Sequence, residues 1–184
     1  MSQESQGLLS PFLKKMRYLN AVTYISNNCV MLDIGCGSGE FHQFLPAGVK
    51  YFGIDAKKYW NDQAKNLYVA KIGKRYPKQI TARKYDVITA LAVIEHLKDP
   101  ERLFIDAKKL LKRNGKLILT TPHPVGKFFH EFGATLGLFS RDASEEHEQF
   151  FKKSNLDHFG QSNGFALHKY NRFLFGLNQI AFFQ

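Results

Sequence analysis

Short apolar runs alternate with amphipathic stretches along most of this chain. Apolar segments near residues 30–34, 50–54, 67–72, 85–91 and 115–120 are five to seven residues long and rich in Val, Ile, Leu, Tyr and Phe. Runs of that length, bounded by Gly, Asp or Asn, read as buried strands. Between them the apolar spacing changes to three and four, which predicts helices near 38–45, 57–65 and 100–113. The last is the best marked. Asp99-Pro100-Glu101 offers a cap, a first-turn proline and an early carboxylate. Leu103, Phe104, Ala107, Leu110 and Leu111 form its apolar stripe, and Asn114-Gly115 is a stop signal.

An earlier helix is expected over residues 8–26, where Leu9, Phe12, Leu13, Met16 and Leu19 repeat at helical spacing. It reads as a cover for one sheet edge, or alternatively as a membrane-surface helix; its modest stripe favours the first. Two final runs, Ala166 to Phe175 and Leu177 to Phe183, flank Gly176 and predict an antiparallel hairpin at the sheet edge. The expected fold is therefore α/β and Rossmann-like: a mostly parallel sheet closed by a C-terminal antiparallel hairpin. At 184 residues the chain is expected to form a single domain, 1–184, with residues 123–163 on the acceptor side.

The chemistry concentrates where the first strand meets a glycine turn, Leu32-Asp33-Ile34-Gly35-Cys36-Gly37-Ser38-Gly39. Gly35, Gly37 and Gly39 let the backbone turn tightly and let a ligand approach closely. The dinucleotide fingerprint is G-x-G-x-x-G; here the spacing is G-x-G-x-G. Asp33 would repel a pyrophosphate and hold an ammonium. Asp55 ends the second strand, Tyr51-Phe52-Gly53-Ile54-Asp55, where a carboxylate can accept from both ribose hydroxyls. Ammonium plus ribose points to S-adenosylmethionine.

These segments resemble the motifs of the class I S-adenosylmethionine-dependent methyltransferases. The glycine turn is similar to the family's first motif and Gly53-Ile54-Asp55 to its second. The stretch from Tyr85 to Leu97 resembles the fourth-strand motif of the small-molecule branch, the methyltransferase type 11 and ubiquinone-synthesis kind. The stretch from Leu110 to Pro122 resembles the helix, turn and fifth strand that follow. The resemblance runs from about Met31 to Pro122. It implies S-adenosylmethionine as cofactor, contacted by Asp33, Gly35, Cys36, Gly37, Gly39, Asp55, Ala56, Ala90 and Leu91, and methyl transfer to a small-molecule acceptor, expected through oxygen. The family often has an acidic adenine ligand after strand three. Lys71, Ile72, Gly73 and Lys74 stand there, so backbone groups or Ala56 are left to hold the ring.

Two histidines are candidates for contact with the acceptor. His147 precedes Phe150-Phe151 and matches a family position that lines the acceptor site; it could instead be a surface residue among Glu145, Glu146 and Glu148. His123 follows strand five at the ligand-binding end of the sheet, or is an ordinary loop residue. His96, in Glu95-His96-Leu97, reads as structural. Some relatives place Glu-x-x-Glu-His after strand four to hold a metal; Ala92 occupies the first position here, so no metal is expected. The Asp/Asn-Pro-Pro-aromatic turn of base-methylating enzymes is missing at Leu91-Ala92-Val93-Ile94, so nucleic acid is disfavoured as a partner.

The net charge of +10 is uneven: ten cations lie between Lys50 and Lys84, opposed by Asp55 and Asp62. The stretch is either a solvated face or an attractor for an anionic acceptor, nucleic acid or membrane surface, with peripheral membrane contact not favoured. The polar N-terminus does not resemble a secretion signal, and Cys29 and Cys36 fit free thiols, so a cytoplasmic setting is expected. A non-catalytic S-adenosylmethionine-binding module and, more remotely, an NAD-dependent oxidoreductase remain the alternatives. The oligomeric state is not readable.

Overall fold

The computed structural model describes residues 10–125 and 149–184. Seven strands form one sheet: β1 Val30–Ile34, β2 Lys50–Asp55, β3 Leu67–Val69, β4 Tyr85–Leu91, β5 Leu111–Pro122, β6 Leu167–Phe173 and β7 Asn178–Phe183. Their spatial order is β3-β2-β1-β4-β5-β7-β6. The first five are parallel; β7 returns antiparallel along β5 and β6 along β7. The expected hairpin is present, with β7 inserted next to β5 and β6 at the edge.

Register decides where the site forms. Ile34 pairs with Ile54 on one side and Ala90 on the other, and Ala90 pairs with Leu119. The carboxyl ends of β1, β2, β4 and β5 therefore finish along one edge. The strand order reverses between β1 and β4, and ligands of open α/β sheets bind at such a switch point.

The helices are α1 Ser10–Val22, α2 Lys78–Thr81, α3 Glu101–Leu110 and α4 Lys153–Ser162. On one face, Leu32, Ile34, Ile54, Ile88 and Leu119 pack with Ile80 of α2, Leu103, Phe104 and Ala107 of α3 and Leu156 of α4. On the other, Met31, Val87, Ile118 and Ile180 pack with Tyr18 and Ala21 of α1 and with Phe41. The apolar stripe of α1 is thus used against the sheet, the first of its two expected roles, although Phe12 and Leu19 stay exposed. No helix among the described residues is long and apolar enough to cross a membrane.

Four expected helices changed. Helix α1 ends at Val22, four residues before the expected boundary. Residues 57–65 form none: the Asn61 side chain accepts from the Gln63 and Ala64 N–H groups at 3.1 and 3.2 Å, satisfying donors that a helix would have used. The segment after β1 is only a five-residue 3-10 turn, Glu40–Phe44, because Gly39 enters it left-handed at φ +80° and Pro46 follows. Helix α3 ends at Leu110, three residues early. Leu111 turns extended and buried to pair with Tyr85, and Lys112 Nζ reaches both oxygens of Asp86 at 2.8 and 2.9 Å. At its start, Asp99 supplies its carbonyl to the Arg102 N–H rather than a side-chain cap.

Candidate functional site

The glycine turn is pinned to β2 by two bonds: the Gly35 and Cys36 N–H groups donate to the Ile54 carbonyl at 2.8 and 3.0 Å. Gly35, Gly37 and Gly39 all have positive φ, and they serve different purposes. A Cβ on Gly35 would meet Val93 Cγ2 at 2.3 Å, and one on Gly39 would meet Leu67 Cδ1 at 2.8 Å. These two permit packing. A Cβ on Gly37 would meet nothing within 4 Å. Gly37 faces open space, and its N–H donates to Asp55 Oδ2 at 2.9 Å. Gly37→Val is expected to keep a cooperative fold and to lower affinity for S-adenosylmethionine about tenfold or more, since its branched side chain fills that space and its φ of +54° is strained. Thermal melting and calorimetry check the two halves; normal binding in a folded variant would remove the turn from the site.

Asp33 is a buried carboxyl of the site. It is 3 % exposed and accepts from Tyr51 Oη at 2.8 Å and Thr89 Oγ1 at 2.7 Å. Burial pushes its carboxyl up to about 6; the two hydroxyls oppose that and Asp55 adds to it. Burial and the charge of Asp33 in turn raise Tyr51 far above the usual phenol value and keep Cys36 a neutral thiol, so Cys36 is a wall and not a nucleophile. Tyr51 and Thr89 are site residues that strand patterning did not single out. The signal was indirect: Thr89 stands opposite Asp33 in the β1–β4 register, which only the sheet order reveals.

A cavity of about 340 Å³ opens at this edge. Asp33, Gly35, Cys36, Gly37 and Leu91 line it together. Asp55 supports the turn from behind, bonded to the N–H groups of Gly37 and Lys57. Gly39 lines a neighbouring cleft with Tyr51 and Leu67. Ala56 is exposed just past β2, and Ala90 is fully buried in the core beneath the site; neither lines the cavity.

Other walls were not anticipated. Helix α1 contributes Leu13, Lys14, Arg17 and Tyr18, although its sequence announces only an amphipathic cover. Lys14 is paired with Glu40 at 2.6 Å. Ala92 lines the cavity at φ +57°, a left-handed conformation uncommon for a residue other than glycine and found preferentially at functional sites. Glu95, His96 and Asn178 add polar walls, and Phe150 and Leu177 add apolar ones. The segment bearing Phe150 is tied down on both flanks. The Gln149 N–H donates to the Glu95 carbonyl at 2.9 Å, and Gln179 Nε2 to the Phe151 carbonyl at 2.7 Å.

His123 lies at the same end of the sheet but does not line the cavity. Its Nδ1 accepts from the Val125 N–H at 3.2 Å, and burial with Arg172 and Lys152 nearby lowers its basicity. His147 lies outside the described residues. The ten cations from Lys50 to Lys84 are all exposed and none lines the cavity; Arg83 rests over the Phe52 ring at 4.2 Å.

Comparison with known proteins places this geometry. A profile of the family described as "Methyltransferase domain" matches residues 9–170. The chain is similar to the ubiquinone biosynthesis O-methyltransferase of Pelagibacter ubique, 30% identical over 158 residues that cover 77% of this chain and 63% of the relative. Its similarity to the Coxiella burnetii protein of the same name is 28% over 152 residues, 74% and 63% of the two chains. This chain thus spans about 63% of the length of those relatives. A solved structure, an S-adenosylmethionine-dependent methyltransferase from Clostridium acetobutylicum, superposes with a TM-score of 0.63 at 15% identity, covering 96% of this chain and 90% of that one. At that identity the likeness is one of fold.

Proposed function

The chain belongs to the class I S-adenosylmethionine-dependent methyltransferase family, and from this we propose that its edge cavity binds S-adenosylmethionine and transfers the methyl group to a small acceptor through an oxygen nucleophile. The observation that carries the reading is the coincidence of a buried carboxylate, Asp33, with an open backbone cradle at Gly37 in one cavity. An ionised carboxylate is costly to bury, and two hydroxyl donors offset only part of that cost; a ligand ammonium offsets more of it. The residues fit the cofactor. Asp33 would take the ammonium. Asp55 accepts from two backbone N–H groups at two of its roughly four lone-pair sites, leaving the others for ribose hydroxyls. Leu91 and Ala92 would flank the methionine end. No carboxylate stands at the family's adenine position, so the ring is left to apolar and backbone contacts.

The sulfonium of the cofactor supplies a methyl group already activated for transfer. What this chain adds is placement and dryness. The β1–β4 edge orients the donor, and Phe150, Leu177 and Pro122 give the cavity an apolar lining that disfavours water. The named relatives support an oxygen acceptor. Any anionic group on that acceptor would meet Lys14 and Arg17 of α1, since the basic stretch from Lys50 to Lys84 lies elsewhere. Transfer of tritium from methyl-labelled S-adenosylmethionine to small hydroxyl compounds tests the proposal. Label in an ether product supports it; binding without transfer to any acceptor would return the chain to a cofactor-binding module.

A further inference from the structure

A second buried carboxyl lines the cavity. Glu95 follows β4 on the short turn Ile94–His96, is 2 % exposed, and lines the cavity. Its Oε2 is buried without a hydrogen-bond partner. Asn178, at the start of β7 and also in the cavity wall, is 6 % exposed and its Oδ1 is likewise unpartnered. Buried polar atoms are almost always satisfied, and each exception asks for an explanation. Both atoms here are acceptors in want of a donor, and both belong to side chains of the cavity wall.

We propose that Glu95 is a catalytic residue of the methyl-transfer site, the base that takes the proton from the acceptor hydroxyl. This rests on the reading of the cavity as a methyltransferase site. In the step, the acceptor O–H bond breaks toward Glu95 as its oxygen forms the new bond to the methyl carbon. The methyl–sulfur bond breaks with its electron pair left on sulfur. The products are the methyl ether, neutral S-adenosylhomocysteine and protonated Glu95, which then releases the proton to solvent. The same wall selects the substrate. A hydroxyl acceptor brings the donor that Oε2 lacks; a carboxylate acceptor brings no proton and is repelled. Burial raises the Glu95 carboxyl above its ordinary range, which brings it nearer to the basicity of a useful proton acceptor. The groups opposing that rise are the Glu95 backbone N–H, His96 beside it, Arg17 from α1 and Thr121 from β5.

The test compares wild type with Glu95→Gln, using two probes, 4-methylphenol and 4-nitrophenol, at pH 8. Calorimetry with S-adenosylmethionine is run first: absence of binding to wild type would bring down the cavity reading itself, and the base with it. With binding present, Glu95→Gln should keep cofactor affinity within about twofold. It should lower kcat on 4-methylphenol by about 100-fold or more, the usual range for loss of a general base. On 4-nitrophenol, which is already largely ionised at this pH, the loss should shrink to less than tenfold, because no proton remains to be taken. The wild-type rate on 4-methylphenol should also show an acidic limb that the variant lacks. Equal losses on both phenols would overturn the proposal in favour of a structural role. So would a variant that keeps a third of its activity on 4-methylphenol, or a wild type that binds the cofactor and methylates neither phenol.

Discussion

Asp33→Asn is expected to weaken S-adenosylmethionine binding about 100-fold while making the empty protein more stable at neutral pH. The binding loss follows from the contact: a charge-assisted bond between ammonium and a buried carboxylate is worth about 1.5–3 kcal/mol, or about 10- to 150-fold in affinity. The stability gain follows from burial. Folding raises the Asp33 carboxyl from 3.8 to about 6. A carboxyl raised in this way holds its proton more tightly folded than unfolded. The stability linked to it is therefore complete below pH about 4 and is lost as the pH climbs through about 6. Two pK units correspond to about 3 kcal/mol. Asparagine keeps the shape and can still meet Tyr51 and Thr89, whose hydroxyls can turn. The variant should thus gain little at pH 4 and gain most at pH 7 and above, as read by thermal melting. In the wild type, cofactor affinity should fall as pH drops below about 6, because the ammonium then meets a neutral acid. A variant that bound normally, or a melting difference independent of pH, would show that Asp33 is not the buried anion of this site.

The largest loss of stability is expected at Phe104→Ala. Phe104 is fully buried on α3 and joins four parts of the fold. Its ring meets Phe183 of β7 edge-on at 5.2 Å, and Phe165 and Phe159 each at 6.1 Å. Truncation leaves a cavity that rigid aromatic neighbours cannot refill, so the cost should fall in the range of about 3–5 kcal/mol. Against a total stability of about 5–15 kcal/mol this is a large fraction. It corresponds to a fall in Tm of roughly 6–20 °C for a chain of this size. Denaturant melts check it, with Phe104→Leu as the milder partner. A change under about 1 kcal/mol would mean that the α3–α4–β7 seam is not the packed centre of that face.

The sheet was readable because buried parallel strands are written as continuous apolar runs, and because Asp33, Asp55 and the glycines mark where those runs end. The hairpin around Gly176 was readable for a similar reason. Helix 57–65 was misread because spacing says nothing about whether Asn61 will spend its side chain on the local backbone. In the site, the turn and Asp33 lie within one segment, so their proximity is dictated locally. Tyr51, Thr89, Arg17 and Asn178 come from four separate elements, and only the strand order and the return of α1 over the edge bring them together. Ala90 shows the opposite limit. It lies in the fourth-strand motif, and strand alternation turns its side chain into the core while Leu91 and Ala92 reach the cavity.

The most direct test of this account is a calorimetric titration of the full chain with S-adenosylhomocysteine, with NAD in a parallel cell. The account expects one saturable site per chain for S-adenosylhomocysteine, weakened by Asp33→Asn and by Gly37→Val, and no saturable heat with NAD. Absence of binding to S-adenosylhomocysteine, or binding that neither substitution changes, would contradict it.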